Sequence, residues 1–241
     1  MLAGLAGITA VAWLYLILMV QDMDAAMADG VSMVLRPWTF TDAVLTFWMW
    51  AVMMVGMMVP SAAPATLIYA AVARKAAQSG TPVAPTAAFV SGYVAMWTLF
   101  SVGATLAQWG LERAALLSPM LISSSPVLGA ALLGGAGVYQ LTPFKDACLQ
   151  HCRAPAHFIA EHWRPGTAGA FRMGFVHGAY CLGCCWLLMG LLFLGGVMNL
   201  LWIAGITAFV LAEKLLPLGA RAAQIATGLL MIGTAGLLLA A

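Results

Sequence analysis

The sequence predicts an all-α protein: a polytopic bundle of about seven transmembrane helices forming a single integral membrane domain over residues 1–241. Three observations predict it. Hydrophobic residues make up 63% of the chain and charged residues only 7%, against about 25% charged in an ordinary soluble domain. Mean hydropathy is +0.98. Apolar runs of roughly the 20 residues needed to cross a bilayer recur along the whole length. A chain so poor in charge could not cover itself in water, and the lipid bilayer is the solvent that fits.

The runs fall at about 5–20, 43–62, 87–107, 126–141, 171–195, 197–215 and 222–240. The first has no basic residue before it and is long for a signal core, so it is taken as an uncleaved helix, although Ala26-Met27-Ala28 resembles a cleavage site. The second can continue past Pro60 and Pro64 to Ala73. The fourth is short, and the fifth and sixth are joined almost without a loop, with Asn199 as a cap or turn residue. The longest polar stretch, 142–170, is expected to be a cytoplasmic loop in which His157 and His162 are solvated.

Lys and Arg gather on the cytoplasmic side of membrane proteins. With the N-terminus inside, that side holds Arg74, Lys75, Lys145, Arg153, Arg164, Arg172, Lys214 and Arg221, while the other holds Arg36 and Arg113. The segment after the first run is acidic, with Asp22, Asp24, Asp29 and Asp42. This places the protein in the inner (cytoplasmic) membrane. No basic patch interleaved with aromatics occurs, so nucleic acid is not an expected partner.

All five cysteines fall in two clusters. The first is Cys148-Leu149-Gln150-His151-Cys152, and the second runs from His177 through Cys181 to Cys184-Cys185. On a helix, positions i, i+4 and i+7 share a face, so His177, Cys181 and Cys184 are aligned and Cys185 lies at their edge. Cys148, His151 and Cys152 share a face if their segment is helical. Buried singly, a cysteine is ordinary packing. Thiols and imidazoles concentrated inside a membrane ask for partners, and a sulfur-rich site favours Cu(I), with zinc also possible.

The second run carries Met49, Met53 and Met57 at intervals of four, and Met54 and Met58 likewise. Met19, Met23 and Met27 repeat the spacing in the first. A methionine stripe is most often packing. Yet thioethers stacked one turn apart suit Cu(I), and they bind without losing a proton. Pro60 and Pro64 free backbone carbonyls beside the stripe. Glu213-Lys214 ends the sixth run; Glu213 is expected to face inward as an acceptor for His177 or a counter-charge for a cation, and Lys214 to snorkel to the headgroups.

The expected ligands are therefore Cys148, His151, Cys152, His177, Cys181, Cys184 and Cys185, with Met53, Met54, Met57 and Met58 as a transfer relay and Glu213 as an auxiliary group. The function that follows is Cu(I) handling, as a chaperone or conduit supplying a copper enzyme. Two other functions fit the same residues: a thiol–disulfide oxidoreductase using Cys181 and Cys184, or a structural subunit of a membrane complex. No Walker-type glycine loop, hydrolase triad or paired catalytic carboxylates occur, which argues against ATPase and hydrolase chemistry; an enzyme is the less favoured class.

Four motifs in order carry a family resemblance: Met53-Met54-Val55-Gly56-Met57-Met58-Val59-Pro60-Ser61-Ala62-Ala63-Pro64; Tyr139-Gln140-Leu141-Thr142-Pro143-Phe144-Lys145 with Cys148 to Arg153; His177-Gly178-Ala179-Tyr180-Cys181-Leu182-Gly183-Cys184-Cys185-Trp186; and Met198-Asn199. Over about 41–217 the chain resembles a bacterial family of predicted metal-binding integral membrane proteins, a domain of unknown function. Gly56-Met57-Met58-Val59-Pro60 stands where relatives have Ala-Met-Met-Leu-Pro, which keeps both methionines and the proline. The resemblance implies copper delivery to a tyrosinase-type oxidase.

Overall fold

A computed structural model describes residues 1–28, 37–78, 85–118, 120–216 and 220–240. Asp29 and Arg36 of the charge count lie outside the described residues, and so does the side chain of Met27. Ten helices and no strand occur among the described residues: α1 (Leu2–Ala28), α2 (Phe40–Gln78), α3 (Thr86–Arg113), α4 (Pro126–Gln140), α5 (Pro143–Arg153), α6 (Pro155–His162), α7 (Gly166–Gly190), α8 (Leu192–Gly195), α9 (Leu200–Leu215) and α10 (Ala220–Ala240).

Each of the seven expected runs is a helix, but they differ in reach. Five helical stretches are long and apolar enough to cross a membrane: α1, α2, α3, α7 with α8, and α10. The pair α4 and α5 meets the criterion only jointly and is bent by 67°. Helix α9, with 16 residues, rises about 24 Å and falls short of a ~30 Å hydrocarbon core.

The bend after α4 is written in Leu141-Thr142-Pro143. A residue before proline is pushed out of the helical region, and Thr142 is extended with ψ of 146°. Pro143 then starts a new helix, where its missing N–H is no loss, and the Thr142 hydroxyl caps it by accepting from Lys145 N. Pro155 likewise opens α6, after Ala154 and without a side-chain cap. The expected loop at 142–170 is therefore two docked helices. Lys145, Leu149, Phe158 and Ile159 of this stretch are all buried. Sequence reading missed them because they are short and amphipathic, without the long apolar run that marks a span.

Helix α2 continues unbroken through both prolines. Pro60 has no N–H for the Gly56 carbonyl four residues earlier, and the Trp13 indole of α1 donates to that carbonyl at 3.2 Å. Gly56 also lets α1 approach closely, since a Cβ there would stand 3.3 Å from Ala12 Cβ. Beyond the prolines, α2 carries Tyr69 to a second small core, where it stacks on Phe89 at 4.8 Å and meets Trp163 at 5.9 Å. Phe158 and Met173 complete this cluster.

Helices α3 and α7 cross in backbone contact. A Cβ on Gly92 would strike the Phe171 carbonyl, and one on Gly174 would strike Phe89. Helices α4 and α10 meet similarly at Gly137 and Gly228, whose added Cβ atoms would come within 2.7 Å and 2.9 Å of the opposing glycine carbonyls. Small residues at helix crossings allow this close approach. After α8, Gly196 takes φ of 98°, a turn that side chains resist, and Asn199 caps α9 by accepting from Trp202 N at 3.2 Å, as the sequence predicts.

Candidate metal centre

Helix α7 buries one stripe: His177, Cys181, Cys184 and, beside them, Cys185. Cys181 is its hub. Its Sγ lies 2.8 Å from Lys214 Nζ of α9 and 2.9 Å from the Tyr93 hydroxyl of α3. Cys184 and Cys185 each donate a thiol hydrogen bond to the Cys181 carbonyl at 3.0 Å. Helix α5 supplies Cys152, which packs against the core that holds Cys181, Cys184 and Cys185. Three buried cysteines of α7 and half-buried Cys152 of α5 thus share one packed core, on two helices that the bend at Thr142 brings face to face. Cys148 stands at its edge, against Gly183, where a Cβ would come within 2.7 Å of its Sγ.

The imidazoles differ. His177 is buried in an aromatic box of Phe89, Tyr93 and Phe158, with ring centroids at 6.0, 5.9 and 5.0 Å. Its Nδ1 has no hydrogen-bond partner. Buried polar atoms are nearly always paired, and each exception asks for a cause. His151 instead stacks flat on Tyr180 at 3.9 Å, with Nδ1 2.8 Å from the Ala147 carbonyl. It thereby faces α7 beside Cys181, through Tyr180. In α6, His162 is half-buried and stacked on Phe158 at 4.5 Å, whereas exposed His157 pairs with Glu161 at 3.2 Å.

Met53, Met54, Met57 and Met58 are 0–1% exposed and share one packed core with Cys181, Cys184 and Cys185. Burial is common to packing and to a relay. The link to the thiols is through Met58, whose carbonyl accepts from Tyr93 Oη at 3.0 Å and from Ser61 Oγ at 2.9 Å.

Two expectations at the end of α9 are corrected. Glu213 does not serve His177; its carboxylate holds Lys145 Nζ at 3.0 and 2.8 Å and accepts from Gln140 at 3.1 Å. The buried ammonium of Lys145 is the nearer and stronger claim on that charge. Lys214 does not snorkel to headgroups; it is 6% exposed and donates to Cys181 and to Ser61 Oγ, the latter at 3.0 Å. Lys145 and Lys214 are therefore interior charges and drop out of the surface count, which leaves six basic residues on the proposed inner side.

Among the described residues, no three His, Cys, Asp or Glu side chains are arranged as a ready-made cage for a metal ion. The Cys184 and Cys185 thiols are engaged by the Cys181 carbonyl, and the Cys181 sulfur by Lys214 and Tyr93, so a soft ion would have to replace those hydrogen bonds with sulfur–metal bonds. All five cysteines are free thiols.

A family model described as PpoB2, copper chaperone, matches residues 47–238. The chain belongs to the PpoB2 copper-chaperone family. The matched region takes in α2 from the methionine stripe onward, the whole thiol cluster and almost all of α10. The match supports a copper-handling role for this PpoB2 family member. Comparison with curated proteins and with solved structures yields no match.

Sequence reasoning missed Lys214, Tyr93, Ser61 and Lys145. The signal for the lysines was faint: two residues at helix ends, where a surface position is the default. At the opposite end of α2 and α3 it also missed a polar chain, in which Trp50 donates to buried Gln108 at 2.8 Å, Gln108 to Glu112 at 2.8 Å and Trp38 to Glu112 at 2.6 Å.

Proposed function

We propose that the protein is an inner-membrane Cu(I) chaperone that holds its cargo on the α5–α7 thiol cluster and supplies it to a copper enzyme. Its N-terminus faces the cytoplasm, and α4 and α9 complete a seven-helix bundle in the lipid. The observation that carries the reading is the packing of Cys152 of α5 against the core that holds Cys181, Cys184 and Cys185 of α7. Thiolates are the preferred donors of Cu(I), and a copper family supplies the matching cargo.

Cys152, Cys181 and Cys184 are the primary ligands. Cys185 and Cys148 border them, and His177 offers an unpaired Nδ1 on the same face. Met53, Met54, Met57 and Met58 pass Cu(I) along α2 toward the thiols, because neutral thioethers bind it weakly enough to let it go. Glu213 and His151 hold other partners and are left outside the ligand set. The tyrosinase-type oxidase implied by the family resemblance is the class of client proposed. Neither the thiol oxidoreductase nor the purely structural alternative is supported by the family match.

Metal analysis tests the reading. Protein purified from copper-replete cells is expected to carry near-stoichiometric copper, and the double variant Cys181→Ser, Cys184→Ser to carry almost none while still folding. Equal copper in both would sink the assignment.

A further inference from the structure

A cavity separate from the thiol cluster lies where α5 and α9 end and α10 begins. Its volume is about 170 Å³. That is several times the ~30 Å³ share of one water, and below the roughly 300 Å³ at which drug-sized ligand pockets begin. Arg153, Glu213 and Gln224 line it, together with Leu216 and Ala223. The acceptors of Glu213 are taken: its carboxylate holds Lys145 at 2.8 Å, and its carbonyl accepts from Arg153 Nε at 2.8 Å and from Nη2. Donors are left over. Arginine carries five N–H groups and a permanent charge. Arg153 directs Nε and Nη2 to that one neutral carbonyl and enters no ion pair among the described residues. Gln224 is 4% exposed, and its Nε2 has no hydrogen-bond partner. Nearby, Arg221 is balanced by Asp146 at 3.0 Å, as Lys145 is by Glu213, so Arg153 is the positive charge without a counter-ion.

We propose that this cavity binds the phosphate of an anionic membrane phospholipid, with Arg153 as its counter-charge and the Gln224 amide as a second donor. A phosphodiester brings one negative charge and oxygens that only accept, which is the complement of one guanidinium and one unpaired amide N–H. The rim supplies the rest of the match. Leu216 is 64% exposed and its neighbour Leu215 50%, and Ala223 is also exposed. Apolar side chains open to the surroundings beside a layer of charged ones, Asp146, Arg153, Glu213 and Arg221, mark the depth at which headgroups meet acyl chains. Basic pockets between membrane helices on the cytoplasmic side hold headgroups in this way. A soluble anion would gain nothing from the leucines. Arg153 directly follows Cys152, so a lipid held here braces the end of α5 against α9 and α10. Its binding depends on the membrane placement proposed above and on none of the thiol chemistry.

Native mass spectrometry of the full-length protein tests it, with phosphatidylglycerol or phosphatidylcholine added to the detergent micelles. Wild type is expected to retain one phosphatidylglycerol at least about fivefold more tightly than phosphatidylcholine, whose ammonium offsets the phosphate charge that Arg153 attracts. Arg153→Gln can still donate to the Glu213 carbonyl but has no charge, and it is expected to lose that preference. Ala223→Phe fills the mouth of the cavity and leaves Arg153 in place; it is expected to retain no lipid there, which keeps the test decisive if Arg153→Gln fails to fold. Equal retention of the two lipids by wild type, or an undiminished preference in either folded variant, would overturn the proposal. Displacement of phosphatidylglycerol by inorganic phosphate alone would overturn it too, since a free anion would then be the occupant. Copper content is expected to be no guide to these outcomes, and a protein that binds no copper would still retain the lipid.

Discussion

At the scale of single residues, the centre is built from polar groups placed where an apolar core would be simpler. The Lys145–Glu213 pair illustrates the consequence. Lys145 is 1% exposed in its side chain and Glu213 10%, and the Glu213 carbonyl also accepts from Arg153 at 2.8 Å. Removing one member of a buried pair costs about 3–5 kcal/mol, whereas replacing both by apolar residues is often neutral. Glu213→Leu is therefore expected to lower thermal stability in detergent markedly, and Lys145→Met with Glu213→Leu to recover most of the loss. A double variant no more stable than the single one would remove the pairing argument. The Trp13 indole makes a smaller contribution. Trp13→Phe forfeits its bond to the Gly56 carbonyl freed by Pro60, an expected loss of about 1 kcal/mol, readable as a modest fall in melting temperature.

At the scale of elements, the centre depends on how closely helices approach. Helix α7 presents the thiol stripe only because Gly174 and Gly92 let it touch α3 backbone to backbone. Gly174→Val is expected to abolish folded protein, since the added side chain meets the Phe89 carbonyl with nowhere to move. Gly205→Val on α9, where a Cβ meets nothing within 4 Å, is expected to be tolerated. Size-exclusion profiles of the two variants check this; equally good behaviour would mean the crossing is less tight than described. The spans were legible in the sequence because their apolar runs are long, and the continuation of α2 through Pro60 and Pro64 followed from the runs on either side. Helices α5 and α6 were not, because eight to eleven residues of mixed polarity carry too weak a periodicity. Their proline starts, Thr142-Pro143 and Ala154-Pro155, were the available signal.

At the scale of the whole molecule, sulfur from α2, α5 and α7 converges on one core, in a chain that belongs to the copper-chaperone family. The helical spacing of His177, Cys181 and Cys184 was enough to align them, and the pairing of α5 with α7 needed only a return of the chain. What the sequence could not display was the charge around the thiols. Glu213 and Lys214 are adjacent, so they point to different sides of α9, and only tertiary packing decides that one meets Lys145 and the other Cys181.

The central claim is that thiols from α5 and α7 bind one Cu(I) together. X-ray absorption at the copper edge, on Cu(I)-loaded wild type and on Cys152→Ser, tests it most directly. The account predicts sulfur-dominated coordination in wild type and one fewer sulfur neighbour when the α5 thiol is removed. A copper ion bound mainly by nitrogen and oxygen, or a sulfur count indifferent to Cys152, would contradict it.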